Sequence, residues 1–294
     1  MEEINEKGEL ADMKLAFSTL SFDEWGFEEY VKICKKYGFD GIEIRMGSGI
    51  GTLAYTEEEL ARYKKLLDEN GLVVTDLGSS VCIRDNDDAL YEEFVAHLPM
   101  AKALGAAGIR VFMGTFKTYR YEPNAPMSFE GSAALLQRLC DAAAPYGVSV
   151  YIETHNEFAT GKELARLLAA VGRDNCKIIW DIMHPLEEGE TPQETMDYLG
   201  GRIAHIHIKD GTKDPDPEAI SYVYGPIGEG EMPVEEIVSV LKKAGFDGYY
   251  SLEWEEKWRQ SLQEAALPHE AVLENYASFM KQIDEKTKGA CKNA

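Results

Sequence analysis

Eight short apolar runs alternate with segments of helical periodicity along almost the whole chain, and this alternation strongly constrains the fold. The apolar runs are residues 13–20, 41–45, 72–80, 109–116, 148–154, 177–183, 203–210 and 249–255. The segments between and after them have apolar residues at three- and four-residue spacing, as amphipathic helices do: 23–37, 56–70, 89–104, 131–146, 161–171, 191–199, 234–244 and 269–286. Strands that alternate with helices in this way predict parallel strands joined by βαβ units.

Glycine lies just past the end of many of the helical segments, at Gly38, Gly71, Gly105, Gly147, Gly201 and Gly245. A residue in the left-handed conformation commonly ends a helix, and glycine adopts it without strain. The segments YGFDGIEI (37–44) and AGFDGYYSL (244–252) are near copies, which indicates a repeated helix-to-strand unit. Eight such units without a break in composition predict an α/β fold, a single (β/α)8 TIM barrel, over residues 13–285. We expect an acidic tail at 1–12 and a polar tail at 286–294.

A doubly wound open sheet is the alternative fold. It would usually carry a GxGxxG phosphate turn after an early strand, and the sequence has none. The glycine-rich segment 47–51 has no lysine at the spacing of a P-loop, so we expect it to be an ordinary βα loop.

Charge and composition exclude several classes of partner. The chain has 52 acidic and 30 basic residues and a net charge of −22, so it should repel nucleic acid. It has no apolar run long enough for a membrane span and no basic, apolar leader at its start. Its five cysteines are scattered without CxxC spacing, which favours reduced thiols and a cytoplasmic location.

Polar side chains that can carry chemistry lie at the ends of the last four predicted strands. They are Glu153 and His155; Asp181 with His184 just after it; His205, His207 and Lys209; and Ser251, Glu253 and Glu255. The carboxyl ends of barrel strands meet at one rim, where the active sites of such barrels lie. Carboxylates that converge there would repel one another and be costly to bury unless a cation lay among them. Carboxylate oxygens with one imidazole suit Mn²⁺ first, with Mg²⁺, Co²⁺ and Zn²⁺ as alternatives, so we predict one divalent metal ion.

Four segments resemble the xylose-isomerase-like TIM barrel superfamily, the sugar phosphate isomerase/epimerase group. They are ETHN (153–156), WDIMH (180–184), HIHIKD (205–210) and the run from GPIGEGEM to SLEWE (225–255), and the resemblance covers roughly residues 13–285. It implies that one divalent metal is held by Glu153, Asp181, His207 and Glu253.

The resemblance also implies a reaction on a keto-sugar or polyol ketone. In the ketose 3-epimerases of this group, the two metal-bound glutamates lie on opposite faces of the substrate, which assigns acid–base catalysis to Glu153 and Glu253. A metal that chelates the ketone oxygen would stabilise the developing enediolate. The family uses D-x-x-H spacing to place a substrate-binding histidine, which here is His184. We also predict substrate contacts for Lys209 and His155.

Further side chains are interpreted from their strand positions. His205, one inward step deeper than His207, is expected to be a hydrogen-bonded residue of the core or of the metal surroundings. Glu43 is expected to form an internal pair with Arg45, and the alternative is that it reaches the floor of the pocket. No arginine pair is expected at the rim.

Alternative functions follow from the same residues. A lyase or dehydratase of a keto-sugar, keto-inositol or 3-keto-glycoside would use the same proton abstraction and then expel a substituent. Ala159 favours it, because the 3-epimerases carry a second glutamate six positions after the first.

An endonuclease IV-like DNA repair nuclease would need histidines at the ends of strands three and four, which here read LGSS (77–80) and MGTF (113–116).

A non-catalytic sugar-binding barrel is the remaining alternative. By analogy with similar barrels we expect a homo-oligomer. The segment 212–232, which contains three prolines and an aromatic run, is a candidate lid or interface.

Overall fold

The structure is a computed structural model that describes residues 12–46, 56–114, 127–216 and 221–291. The glycine-rich segment 47–51 and nearly all of the predicted N-terminal tail lie outside the described residues, as do residues 115 and 116 of the fourth apolar run. The described part contains the strands β1 (Lys14–Ser18), β2 (Gly41–Arg45), β3 (Val73–Ile83), β4 (Gly108–Met113), β5 (Ser149–Glu153), β6 (Cys176–Asp181), β7 (Ile203–Ile208), β8 (Gly211–Lys213), β9 (Tyr222–Tyr224) and β10 (Tyr249–Leu252).

Eight of these strands close into a barrel in the order β1-β10-β7-β6-β5-β4-β3-β2, and every pair is parallel. The predicted single TIM barrel is therefore confirmed. The remaining two strands, β8 and β9, form an antiparallel hairpin after β7. This hairpin overlaps the segment 212–232, the candidate lid or interface, and residues 217–220 of that segment lie outside the described part.

Ten α-helices accompany the strands in the described residues. They are α1 (Phe27–Tyr37), α2 (Glu57–Asn70), α3 (Asp88–Leu104), α4 (Phe129–Ala143), α5 (Gly161–Val171), α6 (Met183–Glu187), α7 (Pro192–Leu199), α8 (Val234–Lys243), α9 (Gln260–Ala265) and α10 (His269–Cys291). The short helices α6 and α9 were not predicted. None of the helices in the described ranges is both long and apolar enough to cross a bilayer.

The sequence determines the helix ends through local chemistry. Thr56 and Thr191 each form a capping box with the glutamate three residues later, at the starts of α2 and α7. Left-handed glycines follow the helices as predicted at Gly38, Gly71, Gly105, Gly147 and Gly245. After α7, however, the positive φ falls on Gly200 and not on Gly201. The cysteines with described side chains, Cys34, Cys82, Cys140 and Cys176, form no disulfide.

The register of the strands brings polar residues to one rim of the barrel. Asp181 is level with His207, and His207 is level with Ser251. Glu153 is the last residue of β5, and Glu253 directly follows β10. Alternate residues of a strand face opposite sides of the sheet, so the apolar neighbours of these side chains face the surrounding helices. The carboxyl end of the barrel interior is consequently polar.

Candidate metal centre

The four predicted metal ligands lie together in the structure. Glu153, Asp181, His207 and Glu253 each offer one donor atom, and these atoms all lie within 4.8 Å of one another. All four side chains are buried. The Nδ1 atom of His207 lies 3.1 Å from Oε1 of Glu153 and 3.3 Å from Oε2 of Glu253. The barrel thus brings together residues that are separated by up to a hundred positions in the sequence.

Two oxygens of this group lack hydrogen bonds although they are buried. They are Oδ2 of Asp181 and Oε2 of Glu253. The Lys209 ammonium lies 2.5 and 2.6 Å from them, but neither contact has the geometry of a hydrogen bond. Both oxygens thus face an ammonium cation, and three converging carboxylates with one imidazole are also donors that a divalent metal ion accepts. The donor set therefore fits a divalent metal ion.

Burial and charge oppose each other in this cluster. Burial raises the pKa of Glu253, but His207, Lys209 and Arg110 outweigh it, so the pKa is well below its usual value. For Asp181 burial prevails over Lys209 and His184, and its pKa is raised. Burial would lower the pKa of His207, yet the surrounding carboxylates raise it well above the usual value.

Arg110 of β4 is a member of the site that the sequence analysis missed. Its side chain is buried, and its Nη1 atom donates to Oε2 of Glu153 at 3.0 Å and to Oε1 of Glu253 at 3.1 Å. Burial would lower the pKa of Arg110, but these two carboxylates raise it. The sequence offered one signal for Arg110, which is a single arginine in an otherwise apolar strand.

Lys209 lies inside the cluster and not at its edge. It is 2% exposed and also pairs with Glu255. Glu255 in turn accepts a hydrogen bond from Nε of Arg259 at 2.6 Å. Arg259 donates to the Tyr224 hydroxyl at 2.8 Å, so the end of the β8–β9 hairpin is tied to the site. The structure thus places arginines near the rim that the sequence analysis did not expect.

His184 and His155 lie beside the same cluster. In α6, Nε2 of His184 is 3.5 Å from Oδ2 of Asp181, and its Nδ1 is 2.9 Å from Oε2 of Glu187. The centroids of the His155 and His184 rings are 4.6 Å apart. Burial, helped by the neighbouring His184, lowers the pKa of His155 to about 4, so this imidazole is neutral near pH 7. Substrate contacts of His184, Lys209 and His155 remain predictions.

Glu43 approaches the cluster from below, from the middle of β2. Its Oε2 atom lies 2.8 Å from Nε2 of His207 and 3.3 Å from Nε2 of His205. His205 is therefore a hydrogen-bonded residue of the barrel interior, as predicted. The predicted pair of Glu43 with Arg45 is wrong, because Arg45 donates to backbone oxygens and to Ser80 instead.

Asp210 organises the loop next to the site. It follows Lys209 in the sequence, it is buried, and its carboxylate accepts hydrogen bonds from four backbone N–H groups, those of Gly211, Gly228, Gly230 and Met232. The loop 226–232, which contains the GEG sequence, is thereby fixed to the end of β7.

Comparison with known proteins gives the family. The model of the family described as xylose isomerase-like TIM barrel matches residues 31–283. An inosose isomerase of Bacillus velezensis is 24% identical over 285 residues, which cover 92% of this chain and all of the relative. A 3-dehydroshikimate dehydratase of Bacillus anthracis is 25% identical over 269 residues, 82% of this chain and 91% of the relative. The crystal structure of the IOLI protein with a bound zinc atom superposes with a TM-score of 0.75 at 20% identity, over 94% of this chain and 99% of that chain.

Proposed function

The chain belongs to the xylose isomerase-like TIM barrel family, and on that premise we propose that it is a divalent-metal-dependent sugar isomerase or epimerase. It is an enzyme of the sugar isomerase/epimerase type or a related lyase. The substrate that we propose is a keto-sugar or polyol ketone. The reaction begins by removing a proton from the carbon next to the carbonyl group.

The convergence of four buried donors is the observation that supports this proposal. Glu153, Asp181, His207 and Glu253 could hold the metal ion, and two of their oxygens lack hydrogen bonds. When bound, the metal supplies a Lewis acid that polarises the substrate carbonyl and makes the neighbouring carbon more acidic. We propose Mn²⁺, because three of the four donors are carboxylates. The zinc in the IOLI structure makes Zn²⁺ the second candidate.

The protein groups have separate roles in this proposal. Glu153 and Glu253 act as the acid–base pair, one taking the proton and the other returning it. Arg110 holds one oxygen of each glutamate and so fixes the two carboxylates relative to each other. Lys209 provides a positive charge near the site of the developing negative charge. His184 and His155 contact the hydroxyl groups of the substrate.

A lyase or dehydratase is the second candidate, and two observations favour it. A dehydratase matches 82% of the chain. Ala159, which is buried, stands six positions after Glu153. An elimination needs one base to take the proton and one acid to protonate the leaving group, and the same cluster could supply both.

The experiment begins with metal analysis of the purified protein and of protein treated with a chelator. Keto-sugars, keto-inositols and 3-dehydroshikimate are then incubated with the reloaded enzyme in D₂O. Deuterium at one carbon without loss of water indicates isomerisation or epimerisation, whereas loss of water indicates the lyase.

We expect Glu153→Gln and Glu253→Gln each to reduce turnover by about 10²–10⁴-fold, the usual contribution of acid–base catalysis. The matched control is Glu163→Gln, which changes an exposed glutamate at the start of α5. Full turnover by both site variants, or by chelator-treated enzyme, would contradict the proposal.

A further inference from the structure

Glu43 and His205 lie buried beneath the proposed metal ligands and form a second group with one of them, His207. Besides the two histidines, Oε2 of Glu43 lies 3.3 Å from the Ser251 hydroxyl. All four side chains are at most 1% exposed. Glu43 and His207 are 164 positions apart in the sequence, so only barrel closure brings them together. The proposed reaction itself gives Glu43 no role.

The two nitrogens of His207 face different partners. Nδ1 faces the oxygens of Glu153 and Glu253, at 3.1 and 3.3 Å. Nε2 faces Oε2 of Glu43 at 2.8 Å. A neutral imidazole carries one N–H and one lone pair, so the nitrogen that donates to a carboxylate leaves the other one free to bind a metal.

We propose that Glu43 is a positioning residue for the metal centre. It accepts the Nε2–H of His207, selects that tautomer, and directs the Nδ1 lone pair toward the metal position. This inference rests on the proposed function, because it requires that His207 bind a metal. The negative charge of Glu43 also makes the imidazole a stronger ligand.

The alternative role for Glu43, His205 and His207 is to hold a second metal ion, since their donor atoms also lie within 4.8 Å of one another. The orientation of His207 opposes it. Its Nε2 would have to bind the second ion while Nδ1 bound the first, and a neutral imidazole has a lone pair on only one nitrogen. The expected stoichiometry is therefore one metal ion per chain.

The test compares Mn²⁺ affinity and stoichiometry in the wild type, Glu43→Gln and Asp76→Asn. Glu43→Gln keeps the shape of the side chain and removes its charge. We expect it to bind Mn²⁺ about 10–100-fold more weakly, the usual effect of changing a hydrogen-bond partner of a metal ligand. Asp76 is the matched control, because it is equally buried but faces His205, with its Oδ1 3.7 Å from Nε2, and not His207. Asp76→Asn should bind Mn²⁺ as the wild type does.

A second measurement needs no variant. In protein labelled with ¹⁵N-histidine and loaded with Zn²⁺, the nitrogen spectrum of His207 should show a protonated Nε2 and a metal-bound Nδ1. This readout remains available if Glu43→Gln fails to fold.

The outcomes separate the two proposals. A wild type that binds no divalent metal contradicts the proposed function, and the role of Glu43 with it. A wild type that binds one ion, with equal affinity in Glu43→Gln, contradicts the role of Glu43 alone. Two ions bound by the wild type and one by Glu43→Gln would show that Glu43 belongs to a second metal site and is not a positioning residue. A nitrogen spectrum in which Nε2 of His207 is bound to metal would show the same.

Discussion

Two cationic side chains lie buried among the carboxylates at the barrel rim, and they share one partner, Glu253. Arg110 contacts both glutamates of the proposed acid–base pair, whereas Lys209 contacts Asp181, Glu253 and Glu255. Burial alone would lower the pKa of Lys209, but these carboxylates raise it well above its usual value. Each cation thus neutralises part of the charge that the bound metal would also neutralise.

Lys209→Met tests whether the ammonium group and the metal ion neutralise the same buried carboxylates. Removing one partner of a buried ion pair typically costs about 3–5 kcal/mol, because the remaining charges stay buried without compensation. We therefore expect Lys209→Met to lower the unfolding free energy of the metal-free protein by this amount. With saturating Mn²⁺, the difference in unfolding free energy between Lys209→Met and the wild type should become smaller, since the metal neutralises two of the same carboxylates. Thermal unfolding with and without Mn²⁺ measures both effects.

Lys32→Met provides the control for this comparison. Lys32 is exposed on α1 and forms an ion pair with Glu29, so its loss should change stability little and independently of Mn²⁺. A stability difference for Lys209→Met that Mn²⁺ leaves unchanged would show that the ammonium and the metal act on separate groups.

At the scale of elements, the loop 226–232 depends on a close approach between backbone segments. A Cβ atom added at Gly230 would lie 2.1 Å from Oδ1 of Asp210 and 2.5 Å from the backbone nitrogen of Gly211. Because the backbone cannot move aside cheaply, we expect Gly230→Ala to lower the unfolding free energy by about 1–3 kcal/mol, as overpacking typically does. It should also reduce turnover, since Asp210 adjoins Lys209.

Gly225→Ala is the matched variant in the same loop region. A Cβ atom there meets nothing within 4 Å, and Gly225 does not require a positive φ. We expect its melting temperature and turnover to stay close to those of the wild type. Equal effects of the two substitutions would show that the contact with Asp210 does not determine the loop structure.

The sequence predicted the elements of the repeated strand–helix alternation and missed those outside it, for a physical reason. The barrel strands and eight of the helices carry their own periodicity and caps, as α2 does with its capping box. The strands β8 and β9 and the helix α6 have three to five residues each and lie outside this alternation, so no repeated pattern marks them in the sequence. Such elements depend on tertiary contacts, for example the contact of Arg259 with Tyr224.

The candidate site shows the same division. The strand ends predicted a metal site because parallel strands share a rim, and the resemblance to the family selected Glu153, Asp181, His207 and Glu253 among the polar residues there. Arg110 could not, because it lies in the middle of β4 and not at its end, and its side chain contacts glutamates of two other strand ends. Strand parity alone does not tell which partner a long side chain reaches across the barrel interior.

At the scale of the whole molecule, His269 links the two ends of the barrel sequence. It begins α10, and its ring contacts Glu256, which lies after β10, at 2.8 Å and Glu24, which lies after β1, at 2.5 Å. These strands pair to close the barrel. Burial would lower the pKa of His269, but the two carboxylates raise it above 6.5.

A histidine whose pKa is raised in the folded state stabilises that state fully below about 6.5, its unfolded value. This contribution is lost as pH rises through the folded pKa. We therefore expect the melting temperature of His269→Gln to lie farthest below that of the wild type near pH 5.5, where glutamates are still ionised. The difference in melting temperature between the wild type and His269→Gln should become smaller toward pH 9, and thermal unfolding across this pH range measures it.

His97, on α3, provides a control of opposite sign. Burial lowers its pKa, only partly offset by Glu93, so folding disfavours its charged form. Relative to His97→Gln, the wild type should lose stability as pH falls below about 6.5. Both differences in melting temperature could instead change in the same direction with pH. Acid would then affect the stability of the whole protein, and the charge of His269 would not explain its difference. Opposite trends would show that protonation of His269, which lies between Glu24 and Glu256, stabilises the folded barrel.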